Sequence, residues 1–246
     1  MIKVGLLLPV GLDPFYNEQK EVIYKITKTS LESLWVRDLP ISLKKDKDIG
    51  TWYDPFVYLG YLSKIFEDNE NCKLGIAAIN TSIRNPIITS KAIVSLQHLS
   101  NNQLFIGLGS GEKKEILKTF DVKDKEQSLI EFMNFLNECL WIQKPDFKEE
   151  VTLSLPNIYT PPLIHLASSS DMVWKNISVP IDGWLTWFLS PKIFKRKYAN
   201  ISNHIKVKEV TMSINLIISE KQIFKMINFK GINSIYLGKK ELYEFF

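Results

Sequence analysis

The sequence predicts an α/β fold built on parallel strands, and two observations carry that prediction. Short apolar runs alternate with amphipathic segments along all 246 residues, and no shift in composition marks a linker. Residues 74–115 also hold a complete strand–helix–strand unit. Leu74 to Ile79 is a buried strand. Asn85 caps a helix whose first position is Pro86, where the missing N–H costs nothing. Ile88, Ala92, Leu96 and Leu99 recur at i, i+4, i+8 and i+11, which is one helical face. Asn101 and Asn102 turn the chain, and Leu104 to Leu108 is a second strand that runs into Gly109-Ser110-Gly111-Glu112. Two buried strands joined this way pair in parallel through a right-handed crossover. Their loops open at the carboxyl ends, where such folds keep their chemistry.

The remaining elements follow in order. Val4 to Pro9 is a first strand, and 17–30 reads as a helix with Val22, Ile23 and Ile26 inward. Ser33 to Asp38 is the second strand. Asp54-Pro55 starts a helix with Phe56, Leu59, Leu62 and Ile65 as its buried stripe. Lys125 to Ile142 reads as the longest helix, with Leu129, Phe132, Met133, Leu136, Cys139 and Leu140 on one seam. A proline-containing connector covers 143–161, with a short hairpin expected around Val151 to Leu155. Leu163 to Ala167, Gly183 to Phe188, Val210 to Ser219 and Ile232 to Leu237 complete eight strands. The chain therefore reads as one domain over 1–246, close to the roughly 250 residues of a (β/α)8 barrel.

Composition excludes several functions. The 31 basic and 27 acidic residues, a net charge of +4, are too evenly spread for a nucleic-acid footprint. Cys72 and Cys139 lack CxxC spacing and read as small buried apolar residues. His98, His165 and His204 show no metal-ligand spacing, so no metal is expected. The first strand starts at once from Met1, in an apolar run too short to cross a membrane and without a cleavage site. A cytoplasmic protein without a membrane partner is expected.

Gly107-x-Gly109-x-Gly111 is not the dinucleotide fingerprint, because that pattern's third glycine would fall on Glu112. The glycines either make a tight turn or strip a strand end so that backbone approaches something flat. Taken with Arg84-x-Pro86 and the helix after it, Gly107-x-Gly109-x-Gly111-Glu112 resembles the bacterial-luciferase-like oxidoreductase superfamily. Within it the match is nearest to the branch that uses the deazaflavin coenzyme F420, which includes glucose-6-phosphate dehydrogenases and methylenetetrahydromethanopterin reductases. The resemblance implies a TIM-type barrel, a homodimer formed through the helices after strands two and three, and a non-proline cis peptide matching Ala77–Ala78. It also implies a cofactor phosphate at the turn Ser168-Ser169-Ser170 after strand five. In this chain only about a dozen residues (Glu220 to Gly231) separate strands seven and eight, and the closing segment is short, so a reduced lid and a trimmed C-terminal end are expected.

Candidate residues divide by chemistry. Asp38, at the end of strand two, is a candidate acid or base, or else a loop cap or the ion-pair partner of adjacent Arg37. Leu39 follows it where many relatives carry histidine, which removes the usual base for alcohol oxidation. By resemblance Glu112 is a proton donor at the cofactor ring; otherwise it is a carboxylate favoured at a helix start. Ala77, Ala78, Gly109, Ser110 and Gly111 are expected to approach the cofactor ring, and Asn80 either bonds its edge or satisfies its own turn. Ser168, Ser169 and Ser170 offer hydroxyls and free N–H groups to a phosphate, or form a plain helix cap. Arg84 reads as a loop or interface ion-pair residue, and Trp184 and Trp187 as core or pocket wall. The expected activity is hydride transfer to a small organic substrate with coenzyme F420 or FMN, a reductase of the methylenetetrahydromethanopterin reductase type. The alternatives are an FMN-dependent monooxygenase fed by a separate flavin reductase, and a flavin-binding protein without catalysis.

Overall fold

The structure is a computed structural model. It describes residues 3–8, 23–24, 32–41, 43, 53–69, 72–101, 104–142, 152–187, 189–204, 209–213 and 234–237. Its strands are β1 (Lys3–Leu7), β2 (Ser33–Val36), β3 (Lys73–Asn80), β4 (Leu104–Gly109), β5 (Leu163–Leu166), β6 (Gly183–Trp187), β7 (Glu209–Ser213) and β8 (Ser234–Leu237). They form a closed barrel in chain order. Every pairing is parallel, and β8 returns to β1 with Ile235 beside Val4. A closed ring leaves no unpaired edge, and all the strand ends that carry loops toward the helices open on one face.

Five crossovers carry described helices: α1 (Pro55–Ile65), α2 (Pro86–Leu99), α3 (Lys114–Thr119) with α4 (Lys125–Asn137), α5 (Asp171–Lys175) and α6 (Pro191–Ser202). The expected caps form. Asp54 accepts from the N–H groups of Phe56 and Val57, and Asn85 from those of Ile87 and Ile88. Asn101 turns the chain at φ 52°, a conformation asparagine tolerates better than most residues.

Two expectations change. The helix predicted over Lys125 to Ile142 becomes α4 followed by a π-helical turn, Glu138–Ile142. The hairpin expected near Leu155 is absent from described residues 152–158, which carry no strand. That segment is instead held to the end of α2: Gln97 donates to Thr160 O at 2.8 Å, and the His98 ring meets Asn157 O at 2.8 Å.

Helix α2 turns inward on a face that only partly coincides with its apolar seam. Ile88 and Leu99 are 67% and 61% exposed, while Thr89, Ser90, Ile93, Val94, Leu96 and Gln97 are buried. Of the apolar seam, Ile88 and Leu99 are exposed, Ala92 is half-buried and Leu96 is buried. The buried polar Gln97 takes a core position because its amide finds the Thr160 carbonyl.

The helix over 17–30 is described only at Ile23 and Tyr24, both helical, with Ile23 buried. The crossover from Glu220 to Gly231, the reduced lid and the closing tail lie outside the described residues.

Two apolar layers build the core. The larger lies between the ring and the helices and includes Leu34, Leu62, Ile76, Ile93, Phe132 and Ile164. The smaller fills the inside of the ring, with Leu7, Trp35, Phe105 and Leu185 from four different strands. Trp35 stacks on Phe105 at 5.1 Å between centroids, and buried His165 lies 5.9 Å from the first ring and 5.1 Å from the second. Trp35 fits because position 75 has no side chain: a Cβ there would stand 2.5 Å from the indole.

Gly75→Ala is therefore expected to destabilise the fold by about 1–3 kcal/mol through overpacking, read as a lower urea midpoint with an unchanged slope.

Candidate active site

Above the aromatic plug the ring interior opens into a cavity of about 280 Å³. Its floor is made of Leu7, Ala77, Ala78, Ala167 and Leu185, the small and aliphatic side chains that lie over the plug. The rim is polar. In ring order it carries Glu112 after β4, Ser168 and Ser169 after β5, and Thr186 on β6 with Lys197 on α6; Trp184 and Leu189 complete the wall.

The end of β3 reaches this floor through an irregularity. The Ala77–Ala78 peptide is cis, as the resemblance implies, and the β3–β4 register shifts between Ile76 and Ile79. The tip just beyond is fixed by charge. Asp38 Oδ2 accepts from the Asn80 backbone N–H at 2.9 Å and from Arg84 Nε at 2.8 Å, and Asp38 Oδ1 accepts from Arg84 Nη2 at 2.6 Å. Arg84 Nη2 also donates to Asp54 Oδ2 at 2.8 Å, and the guanidinium lies 5.3 Å from the Phe56 ring centroid. Burial alone would lower the Arg84 pKa; the hydrogen bonds and charges of Asp38 and Asp54 outweigh it and raise the pKa.

Asp38 thus stands in the ion-paired alternative, with Arg84 as its partner. Its side chain has no exposure, and it is not among the cavity-lining residues. The glycine turn also stands one layer back. Three successive carbonyls are held by donors: Gly109 O by Thr81 Oγ1 at 3.1 Å, Ser110 O by Ser82 Oγ at 2.8 Å, and Gly111 O by Lys125 Nζ at 3.2 Å. Gly111, at φ +76°, packs against the Asn80 carboxamide, which a Cβ would meet at 2.7 Å. Asn80 Oδ1 is buried there without a hydrogen-bond partner among the described residues, turned to the glycine turn and outside the cavity lining.

The serine turn divides. Ser168 and Ser169 line the cavity. The Ser170 hydroxyl donates to Glu126 Oε2 at 2.8 Å and its N–H to Ser168 Oγ at 3.2 Å, which ties it to α4. Of the residues singled out in the sequence, the cavity collects Ala77, Ala78, Glu112, Ser168, Ser169 and Trp184. The Trp187 side chain lies outside the described residues. Sequence reasoning missed Thr186 and Lys197. Lys197 sits in the basic run Lys195-Arg196-Lys197, which reads as a solvated helix face, and only the distance to Ser169 separates it from its neighbours.

The family model for luciferase-like monooxygenases matches residues 13–219. The chain belongs to the luciferase-like monooxygenase family. Among curated luciferase-like and other proteins, a phthiodiolone/phenolphthiodiolone dimycocerosates ketoreductase from Mycobacterium kansasii is 28% identical over 103 residues. That match takes in 36% of this chain and spans only 28% of the ketoreductase's length. Among solved structures, an F420-dependent secondary alcohol dehydrogenase bound to an F420–acetone adduct superposes with a TM-score of 0.69 at 15% identity, over 96% of this chain and 93% of that one. The oxygenating constituent of 3,6-diketocamphane monooxygenase from Pseudomonas putida, in complex with FMN, gives a TM-score of 0.63 at 11% identity, over 92% and 71% of the two chains. These likenesses establish the luciferase-like fold. Among the described residues no helix is long and apolar enough to cross a membrane, and no group of side chains is arranged to hold a metal ion.

Arg84→Met leaves the Asp38 carboxylate buried without its partner and is expected to cost about 3–5 kcal/mol of stability, measured by urea denaturation.

Proposed function

We propose that this protein is a flavin- or deazaflavin-dependent oxidoreductase that takes coenzyme F420 or FMN and passes hydride to a small organic substrate, as a reductase of the methylenetetrahydromethanopterin reductase type. The observation that carries the reading is a cavity at the carboxyl ends of the strands. It joins a flat floor of alanines to a rim bearing one carboxylate, two serine hydroxyls and a lysine. The alanine floor suits an apolar ring laid flat, and the serine turn with Lys197 suits an anionic tail. When bound, such a cofactor supplies the hydride, and the protein has to bind, orient and move a proton. Glu112 lines this cavity and is the group proposed to give that proton to the reduced substrate. Alcohol oxidation is less well served: Leu39 stands where a base would be needed, and Asp38 is committed to Arg84.

The family name and the FMN-containing neighbour support a second reading, an FMN-dependent monooxygenase that draws reduced flavin from a separate reductase. The absorbance of the protein after titration with each cofactor discriminates the two. A bound deazaflavin band supports the first reading and a bound FMN spectrum the second; binding of neither sinks both.

Val57 and Tyr61 on α1 and Ile88 and Leu99 on neighbouring α2 leave apolar side chains outside the barrel. These are the helices through which the resemblance implies a homodimer, and a second copy of the chain is the partner proposed for them.

Glu112→Gln is expected to lower turnover by roughly 100-fold or more while the cofactor dissociation constant changes little; an equal loss in both would make Glu112 a binding residue only. Ile88→Glu is expected to convert the dimer to a monomer in sedimentation velocity at micromolar protein, with the circular dichroism spectrum unchanged.

A further inference from the structure

The near balance of 31 basic and 27 acidic residues conceals a lopsided stretch. Between Asp182 and Glu209 stand six lysines and arginines and not one aspartate or glutamate. Taken without that stretch, the chain is net acidic. Four of the six cations, Lys192, Lys195, Arg196 and Lys197, fall on helix α6. The apolar face of this helix is already buried in the core through Phe194 and Ile201. Phe194 lies between the Trp184 and Tyr198 rings, at 5.7 and 5.8 Å between centroids. That anchoring fixes where the other side chains stand. Lys197 lines the cavity. Lys192, Lys195 and Arg196, at i, i+3 and i+4, share the exposed face, with exposed Ile193 on its flank toward Lys197.

Nothing in the helix itself calls for these charges. Cations near a helix start oppose the positive end of its dipole, and the first turn of α6 has no acidic residue to offset them. Among the described residues Lys192 and Arg196 form no ion pair. The helix start and its cations therefore add their fields at one place. That place is beside the mouth of the cavity. Thr186 and Leu189, just before the helix, and Lys197, in its second turn, all line the cavity.

We propose that the outer face of α6, Lys192, Lys195 and Arg196 with Ile193, is a docking surface for an acidic partner protein. Exposed cations around one apolar side chain suit a small protein interface, with an arginine and a hydrophobic contact inside and steering charge at the rim. A nucleic acid asks for more phosphate contacts than one helix face supplies. A bilayer surface asks for an apolar face to insert, and the apolar face of α6 is in the core. The association is of the weak, salt-dependent kind, in which charge speeds encounter and little surface is buried. It does not depend on which cofactor the cavity takes. A partner held there stands beside the opening through which ligands pass.

The probe is a fluorescein-labelled helical peptide with aspartates on one face and leucines at its centre, titrated by fluorescence anisotropy. An oligothymidylate of equal charge and phosphatidylglycerol vesicles stand for the other polyanions. Wild type is expected to bind the peptide at low salt and to lose roughly tenfold in affinity by physiological ionic strength. Lys192→Glu with Arg196→Glu lowers the affinity by about tenfold or more, and Lys192→Gln with Arg196→Gln by a smaller factor. Lys91→Glu with Lys118→Glu, the same charge change on exposed residues of α2 and α3, leaves it unchanged. Circular dichroism checks that the variants stay folded; if the glutamate pair does not, the glutamine pair carries the test. Three results overturn the docking surface: no binding by wild type, undiminished affinity in the glutamine pair, or an equal loss in the Lys91–Lys118 pair. Binding of the oligothymidylate or the vesicles as tight as that of the peptide overturns it too. Each of these leaves the cofactor reading standing.

Discussion

A ring of eight parallel strands has an inside, and that inside has to be filled before anything can be built on top of it. Here the filling depends on one contact, the Trp35 indole lying across the bare backbone of Gly75. With the tryptophan in place, Phe105 and His165 complete a slab of rings, and the next layer up can consist of alanines. Large side chains below and small ones above turn a packed core into a bowl. The cavity is thus a consequence of how volume is shared between two layers of the same interior. Its floor is rigid because the layer beneath has no room to give.

Charge does at the rim what packing does below. Arg84 joins the ends of β2 and β3 to the first turn of α1 through Asp38 and Asp54. A bidentate guanidinium–carboxylate pair has one good geometry, and Asp38 passes that geometry to the backbone of Asn80, two residues beyond the cis peptide. Asp38 therefore shapes the site from outside it. A carboxylate at a strand end reads as chemistry when only its neighbours in sequence are visible. The Arg84 partner is 46 positions away, and no local pattern announces that the fold will bring it there.

The strands were the most legible part of the sequence, because strands covered on both sides are continuous apolar runs bounded by polar turns. Helix starts were nearly as plain, since Asp54-Pro55 and Asn85-Pro86 each put a capping side chain before a proline. The orientation of α2 was not legible. Its apolar seam and its buried face differ, because Gln97 enters the core on a hydrogen bond to a connector carbonyl that hydropathy cannot see. Of the residues that line the cavity, Glu112, Ala77, Ala78 and two of the three serines could be marked in the sequence through the family resemblance and their strand-end positions. Lys197 could not, since a lysine in a basic helical run acquires meaning only when the turn from another strand arrives beside it.

Helix α4 begins with two adjacent residues that reach in different directions. Lys125 holds the carbonyl of Gly111 and Glu126 holds the hydroxyl of Ser170. One helical end thus acts as a caliper whose two jaws grip the turns after the fourth and fifth strands. The gap between those turns is set by a helix that contributes nothing to the lining of the bowl. A displacement of that helix would reset the gauge at both turns together, so the width of the opening on this side behaves as a single coordinate rather than as two independent loops.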